Sequence, residues 1–212
     1  MSELSVHPLG EAALCCTLAP PVSLALQQHI WQLADALRGA PGVQAVIPGM
    51  NNLTLVFDPL LTEAATLEGA AQAAWARPLR RARAGRRVEI PVVYDGPDLA
   101  NVARHCGLTP DEVVRRHTAA AYDVYFLGFQ PGFAYLGGLD DTLHTPRRAE
   151  PRVSVPAGSV GIGGAQTGIY PLASPGGWQL IGRTSVALFD ANAQPPTALS
   201  PGDRVRFVAV AA

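Results

Sequence analysis

Apolar residues in the first part of the chain alternate between the strand and helix periods. Residues 4–6 and 12–18 read as strands, and Pro8-Leu9-Gly10 between them predicts a hairpin. Val22, Leu26, Ile30, Leu33 and Leu37 then recur at helical spacing behind Pro20-Pro21, with Gly39 and Pro41 as the stop. Residues 43–47 and 53–57 pair around a turn at 48–52, and Leu53, Leu55 and Phe57 alternate with Thr54 and Val56 as a half-buried strand should. Thr62 and Glu63 open a second helix that Pro78 closes. This order predicts a small α+β domain over residues 1–85, with two helices laid on one face of an antiparallel sheet.

The pattern changes in the second part. Residues 88–94 read as a strand, followed by two short helices. One is centred on residues 99–104; the other starts at Thr109-Pro110 with Asp111 and Glu112 in its first turn, which suits the helix dipole. Between Gly128 and Arg183, eighteen of 56 residues are Gly or Pro, about one in three against an average near 12%. There is no triplet period, so this is not collagen. Short apolar runs at 124–127, 153–155, 160–162, 179–181, 186–189 and 205–210 predict a mostly β barrel domain over 86–212, with long Gly/Pro-rich loops.

Composition narrows the function classes. Of 212 residues, 48% are hydrophobic and 16% charged, which is enough to bury a core. The net charge of −1 removes a global electrostatic case for nucleic acid. No apolar run approaches the ~18 residues of a membrane helix, and the first residues lack the cationic-then-apolar pattern of a signal peptide. The expectation is a cytoplasmic protein with neither nucleic acid nor membrane as partner. All sixteen basic residues are arginine. Without lysine there is no Walker A loop, kinase strand lysine, pyridoxal Schiff base, biotin acceptor or Ser–Lys hydrolase. Cys15, Cys16 and Cys106 lack zinc-ligand spacing and read as small buried hydrophobes, and no metal site is expected. Residues 77–87 hold six arginines and no acid, which reads as a solvated linker between domains.

Three loops concentrate polar and aromatic groups beyond what turns require. In Gly128-Phe129-Gln130-Pro131-Gly132-Phe133-Ala134-Tyr135, Pro131-Gly132 fits a type II turn. Phe129, Phe133 and Tyr135 around it are either core plugs or the wall of a pocket. His144-Thr145-Pro146-Arg147-Arg148 is either a solvated loop or a clasp for a carboxylate or phosphate, because a guanidinium fork matches such oxygens. The third loop runs from Pro156 to Pro171 and places Gly158, Gly161, Gly163 and Gly164 before Gln166 and Thr167, so that backbone N–H groups can approach an anion. It does not match G-x-G-x-x-G, and there is neither a G-x-S-x-G nor an H-E-x-x-H. Ser174-Pro175-Gly176-Gly177-Trp178 and Gly182-Arg183-Thr184 complete the set. Such loops suit an active site completed by a partner.

These words in this order resemble the family called allophanate hydrolase subunit 1, KipI or PxpB. The resemblance rests on residues 124–136, His144-Thr145-Pro146-Arg147, residues 155–164, Gln166-Thr167-Gly168-Ile169-Tyr170-Pro171, Pro175-Gly176-Gly177-Trp178 and Gly182-Arg183-Thr184. It covers roughly residues 85–210; the N-terminal unit matches in size and element order only. The resemblance implies an α+β N-terminal domain followed by a mostly β, cyclophilin-like barrel. It implies a PxpC/KipA-type partner and a LamB-type subunit, together an ATP-dependent 5-oxoprolinase that opens 5-oxoproline to glutamate. ATP with Mg2+ is then consumed by the assembled complex, and this chain is expected to be inactive alone. By role, Arg147 and Arg183 would hold the substrate carboxylate or a phosphate, and His144 would transfer a proton. Gln166, Thr167, Gly163 and Gly164 would donate hydrogen bonds, while Tyr135, Tyr170 and Trp178 line the site. The same resemblance allows two other roles: a KipI-like inhibitor of a sensor histidine kinase, or a carboxyltransferase-type half related to urea carboxylase.

Overall fold

In a computed structural model, which describes residues 3–79 and 85–211, the chain divides into two compact units, Met1–Arg83 and Ala84–Ala212. The first contains β1 (Leu4–Pro8), β2 (Ala13–Leu18), α1 (Leu24–Leu37), β3 (Val43–Gly49), β4 (Asn52–Phe57) and α2 (Ala64–Trp75). Its antiparallel sheet has the order β1-β2-β4-β3. Leu14, Cys16, Leu53 and Leu55 point to one face and pack with Ile30, Leu33, Leu67 and Ala71 of the two helices. Cys16 is thus a core residue, its thiol pKa pushed up to about 11 first by burial and then by neighbouring Cys15. The first helix starts later than its apolar spacing predicts. Ser23 caps it by accepting the Leu26 N–H at 3.2 Å, which leaves Val22 outside the helix and exposed.

The second unit is mostly β. Its elements are β5 (Arg87–Val92), α3 (Leu99–Cys106), α4 (Pro110–Ala119), β6 (Tyr122–Leu127), β7 (Ala134–Gly137), a 3-10 turn (Asp141–Leu143), β8 (Arg152–Val155), β9 (Ser159–Gly163), β10 (Gln166–Ile169), β11 (Ser174–Gly176), β12 (Gln179–Arg183) and β13 (Arg204–Ala209). Seven strands run in the order β12-β9-β10-β7-β6-β13-β5. The two outer strands meet where Val93 and Arg183 exchange backbone hydrogen bonds of 2.9 Å each way, so the sheet closes on itself. Ile90, Val92, Val124, Leu136, Ile162, Ile181, Val205 and Phe207 fill the interior. A ribbon of β8 and β11 stands apart from the barrel sheet.

The run 186–189, expected as a strand, pairs with the rest only through an isolated bridge between Phe189 and Thr197. The barrel has already closed at Val93–Arg183, so no sheet edge remains for another strand. Conversely β7, β10 and β11 form where Gly and Pro obscured the pattern. The arginine run 77–87 lies partly outside the described residues. Within them, Arg86 is held by Asp203 at 2.5 Å and donates to the Ala198 carbonyl at 2.8 Å, which ties it to the barrel.

Candidate functional site

A second cluster of buried side chains lies under the β8–β11 ribbon: Phe133, Val155, Tyr170, Trp178 and Leu180, with Tyr135 packed against them. The rings meet edge to face. Phe133 lies 4.9 Å from Tyr135, 5.3 Å from Tyr170 and 5.4 Å from Trp178, centroid to centroid, within the range of favourable aromatic pairs. Tyr135 also stacks on Phe126 at 4.3 Å. Such spacings leave no ring-sized gap, so a ligand must lie on this cluster and be covered from outside. Gly163 permits the packing, since a Cβ there would sit 2.5 Å from Trp178 Nε1.

The loop aromatics thus divide. Phe133 is core, Tyr135 is half-buried, and Phe129 is 60% exposed with φ of 69°. A phenylalanine in the left-handed region is strained, and such strain persists where the surroundings impose it. The next residue, Gln130, ties this loop to Leu172, itself 40% exposed, by donating from Nε2 to the Leu172 carbonyl at 3.3 Å.

The second loop brings Arg147 to this face. Its guanidinium carbon lies 6.0 Å from the Trp178 ring centroid, and among the described residues it has no ion-pair partner. Arg148 and Arg152 turn inward instead, to Asp98 Oδ1 at 3.2 and 2.8 Å. Asp98 is buried and its Oδ2 accepts the Leu180 N–H at 2.7 Å. Burial would raise the Asp98 carboxyl, but the Arg152 and Leu180 hydrogen bonds and the two guanidinium charges outweigh it, and its pKa falls below the ordinary value. Sequence reasoning missed Asp98, because an aspartate just before Leu99 suggests a helix cap, yet its side chain makes no capping bond. His144 ends the 3-10 turn, half-buried, with Nε2 3.4 Å from the Asp141 carboxylate.

The glycine loop proves to be the β9–β10 hairpin rather than an open anion cradle. The Gly158 N–H goes to the Tyr170 carbonyl at 2.7 Å, and Gly164 and Thr145 exchange backbone bonds of 2.8 and 3.2 Å. Gln166 opens β10 opposite Gly163, and its buried Nε2 has no partner among the described residues. Thr167 faces the other way, into the barrel. Its hydroxyl donates to the Gly161 carbonyl at 3.0 Å and therefore accepts from His117 Nε2 at 2.9 Å. His117 Nδ1 then accepts the Tyr94 phenol proton at 2.7 Å. These bonds assign the imidazole as the neutral Nε2–H tautomer. Burial enforces neutrality, lowering its pKa to about 3, and Phe207 stacks on the ring at 4.5 Å.

Arg183 sits elsewhere. It ends β12, beside the closing seam, and pairs with Asp95 at 2.9 Å with both side chains largely exposed. Gln179, next to Trp178, and Arg183 are four residues apart on one strand, roughly 13 Å at strand rise. Arg183 is thus engaged with Asp95 at the seam, while Arg147 lies over Trp178. Asp95 also lines an open cavity of about 540 Å3 at the seam, with Tyr94, Leu99, Asp111 and Arg115. Of the residues singled out in the sequence, the structure gathers Tyr135, Arg147, Gly163, Tyr170 and Trp178. It places His144 in the same loop as Arg147, Gly164 and Gln166 in the adjoining hairpin, and Thr167 and Arg183 outside the group.

The tyrosines on this face are held protonated. Burial raises the Tyr170 phenol, while the Trp178 backbone N–H and the charges of Arg147 and Arg152 act against the rise. Tyr135 is likewise raised by burial, with Arg147 opposing. Among the described residues no three His, Cys, Asp or Glu side chains converge to hold a metal, and no helix is long and apolar enough to cross a membrane.

The sequence pattern described as the carboxyltransferase domain, subdomain C and D, matches residues 4–199. The chain belongs to that family. Relatives named as subunits of 5-oxoprolinase match nearly end to end: that of Escherichia coli O157:H7 is 53% identical over 98% of this chain and 97% of its own. The Haemophilus influenzae relative, which bears the same name, is 48% identical over 97% of each. Among solved structures, TTHA0988 has 40% identity and a TM-score of 0.84 over 94% of this chain; the match spans only 40% of the longer TTHA0988 chain. The urea carboxylase of Kluyveromyces lactis shares the fold, with a TM-score of 0.81 at 20% identity over 99% of this chain and 22% of its own. The resemblance seen in the loop words is therefore borne out, as is the mostly β barrel, now as a carboxyltransferase-type domain. The relatives' name makes this family member kin to one component of an enzyme complex.

Proposed function

We propose that this chain is a subunit of an ATP-dependent 5-oxoprolinase, working with a PxpC/KipA-type partner and a LamB-type subunit to open 5-oxoproline to glutamate. The observation that carries this reading is the end-to-end identity with two proteins named as 5-oxoprolinase subunits. The site geometry supports it, because an aromatic face packed too tightly to enclose a ligand needs a second surface to cover it.

The chemistry sets the roles. A lactam carbon is a poor electrophile. Transfer of the ATP γ-phosphoryl group to the lactam oxygen activates the carbon, with ADP as the leaving group. One water adds there and the C–N bond breaks to give the free amine and an acyl phosphate, which a second water hydrolyses to the carboxylate and phosphate. Such steps depend mainly on positioning and charge stabilisation. Arg147, exposed over Trp178 with no competing acid among the described residues, takes the substrate carboxylate. Gln166 Nε2, a donor with no partner among the described residues, is offered to the lactam carbonyl. His144 carries a proton to the departing nitrogen, and Tyr135 and Trp178 form the apolar wall. ATP and its Mg2+ are co-substrates of the assembled complex, with no step assigned to residues of this chain. Phe129 and Leu172 form the apolar rim on which a covering subunit would rest.

The test is 5-oxoproline-stimulated ADP release by the three subunits together. Stimulation that disappears when this chain is left out supports the reading; stimulation of equal size without it refutes it.

A further inference from the structure

Two buried hydrogen-bond donors on the β8–β11 ribbon have no partner among the described residues: Nη1 of Arg152 and Oγ of Ser174. The register brings them to one face. Arg152 lies opposite Gly176 and Ser174 opposite Val155, with an irregularity between the two pairs. The extra residue in β8 turns both Val153 and Ser154 outward and returns Val155 to the buried side. Arg152, Val155, Ser174 and Gly176 therefore look inward together, toward the aromatic cluster. Gly176 has no side chain, and the hydroxyl of Tyr170 occupies the space where a Cβ would be. That hydroxyl lies near the Trp178 backbone N–H, which acts against the burial-driven rise of its pKa, and it brings its own O–H as a third donor.

The charges point the same way. Asp98 is one carboxylate facing two guanidinium groups, and both of its oxygens are already used, Oδ1 by the arginines and Oδ2 by the Leu180 N–H. Among the described residues the group keeps one more guanidinium than carboxylate, with Arg148 33% and Arg152 22% exposed, and Arg152 Nη1 has no share in the pairing. A buried guanidinium N–H left without an acceptor costs free energy that a native fold rarely leaves uncompensated. A water molecule can fill a hydrogen bond but does not balance the charge.

We propose that Arg152, Ser174 and Tyr170 form a binding site for one small oxyanion, a carboxylate or inorganic phosphate. Charge-assisted bonds from a guanidinium, with two hydroxyl donors beside it, are the complement of such a group. The assignment does not rest on the 5-oxoprolinase reading, since it concerns this chain alone; a lactam acid is one molecule that carries the required group.

The experiment is calorimetric titration of the full chain, without partners, with sodium phosphate and separately with sodium 5-oxoproline at constant ionic strength. Saturable binding of either is expected. Phosphate alone assigns the site to phosphate, and 5-oxoproline binding that Ser174→Ala weakens and Arg147→Ala leaves unchanged assigns it to a carboxylate. Arg152→Met and Ser174→Ala should each weaken the binding about tenfold, the effect of one lost charge-assisted or buried hydrogen bond. Ser174→Ala guards against misfolding: removing an unpartnered hydroxyl leaves the melting temperature of the anion-free protein unchanged or higher, while affinity falls. Absence of saturable binding by both anions, or equal affinity in wild type and Ser174→Ala, overturns the site. The 5-oxoprolinase reading stands or falls separately, on turnover by the assembled subunits.

Discussion

Arg147 holds its guanidinium over the face of Trp178, 6.0 Å from the ring centroid, while the next residue, Arg148, turns inward to buried Asp98. One loop thus offers a cation outward and anchors itself with another. If Arg147 receives the substrate carboxylate, Arg147→Ala should raise KM for 5-oxoproline roughly 10–100-fold in the assembled complex, the size of a lost charge-assisted bond. The melting temperature should hardly move, because Arg147 is exposed. Steady-state kinetics beside a thermal melt checks both halves.

The anchor behaves differently. Asp98→Asn leaves two inward guanidinium groups facing a neutral amide and should destabilise the second unit by about 3 kcal/mol. Asp98 has a depressed pKa in the fold. Its contribution is therefore present above the unfolded carboxylate value of about 3.9 and fades as pH falls through the lower folded value. Denaturant unfolding at pH 7 and at pH 3 should show the wild type losing more stability than Asp98→Asn.

His117 gives a second pH signature with its own window. Its folded pKa is lowered to about 3, whereas an unfolded histidine takes a proton near pH 6.5. Between those values the unfolded chain binds the extra proton, so the His117 contribution is complete above about pH 6.5 and declines as pH drops toward 3. His117→Phe keeps the stack on Phe207 but strands the Tyr94 phenol, and should cost about 1–3 kcal/mol at pH 7 while flattening the slope between pH 4 and 6.5. Nitrogen NMR of the wild type should show a neutral Nε2–H imidazole at pH 5.

Gly163→Ala tests the packing of the aromatic face. A methyl group 2.5 Å from Trp178 Nε1 forces the indole to move. Overpacking of this kind costs about 1–3 kcal/mol, and the tryptophan emission should shift to longer wavelength as Trp178 gains exposure. A variant with wild-type emission and stability would mean that Trp178 is not held against β9.

How much of this was legible in the sequence differs by region. The first unit follows its periodicity because its strands are half-buried and alternate, as Leu53, Leu55 and Phe57 do. In the barrel, β9 and β12 were legible as apolar runs. β7, β10 and β11 were not, since four-residue and three-residue strands rich in Gly and Pro carry no measurable period. Residues 186–189 had a strand's composition but met a barrel already closed. The aromatic face was found through its loop words, and Tyr170 and Trp178 indeed lie together. Thr167 illustrates the limit: one residue beyond Gln166, strand alternation sends its hydroxyl to the opposite side, toward His117. Asp98 and Arg152 were invisible because their meeting joins segments 54 residues apart.

Glutamate formation from 5-oxoproline and ATP, measured with this chain present or omitted beside its two proposed partner subunits, decides whether it is a 5-oxoprolinase subunit. Glutamate is expected only in the complete mixture, and none from this chain alone. Glutamate at an undiminished rate without this chain, or no glutamate from a stably assembled complex, would contradict that role.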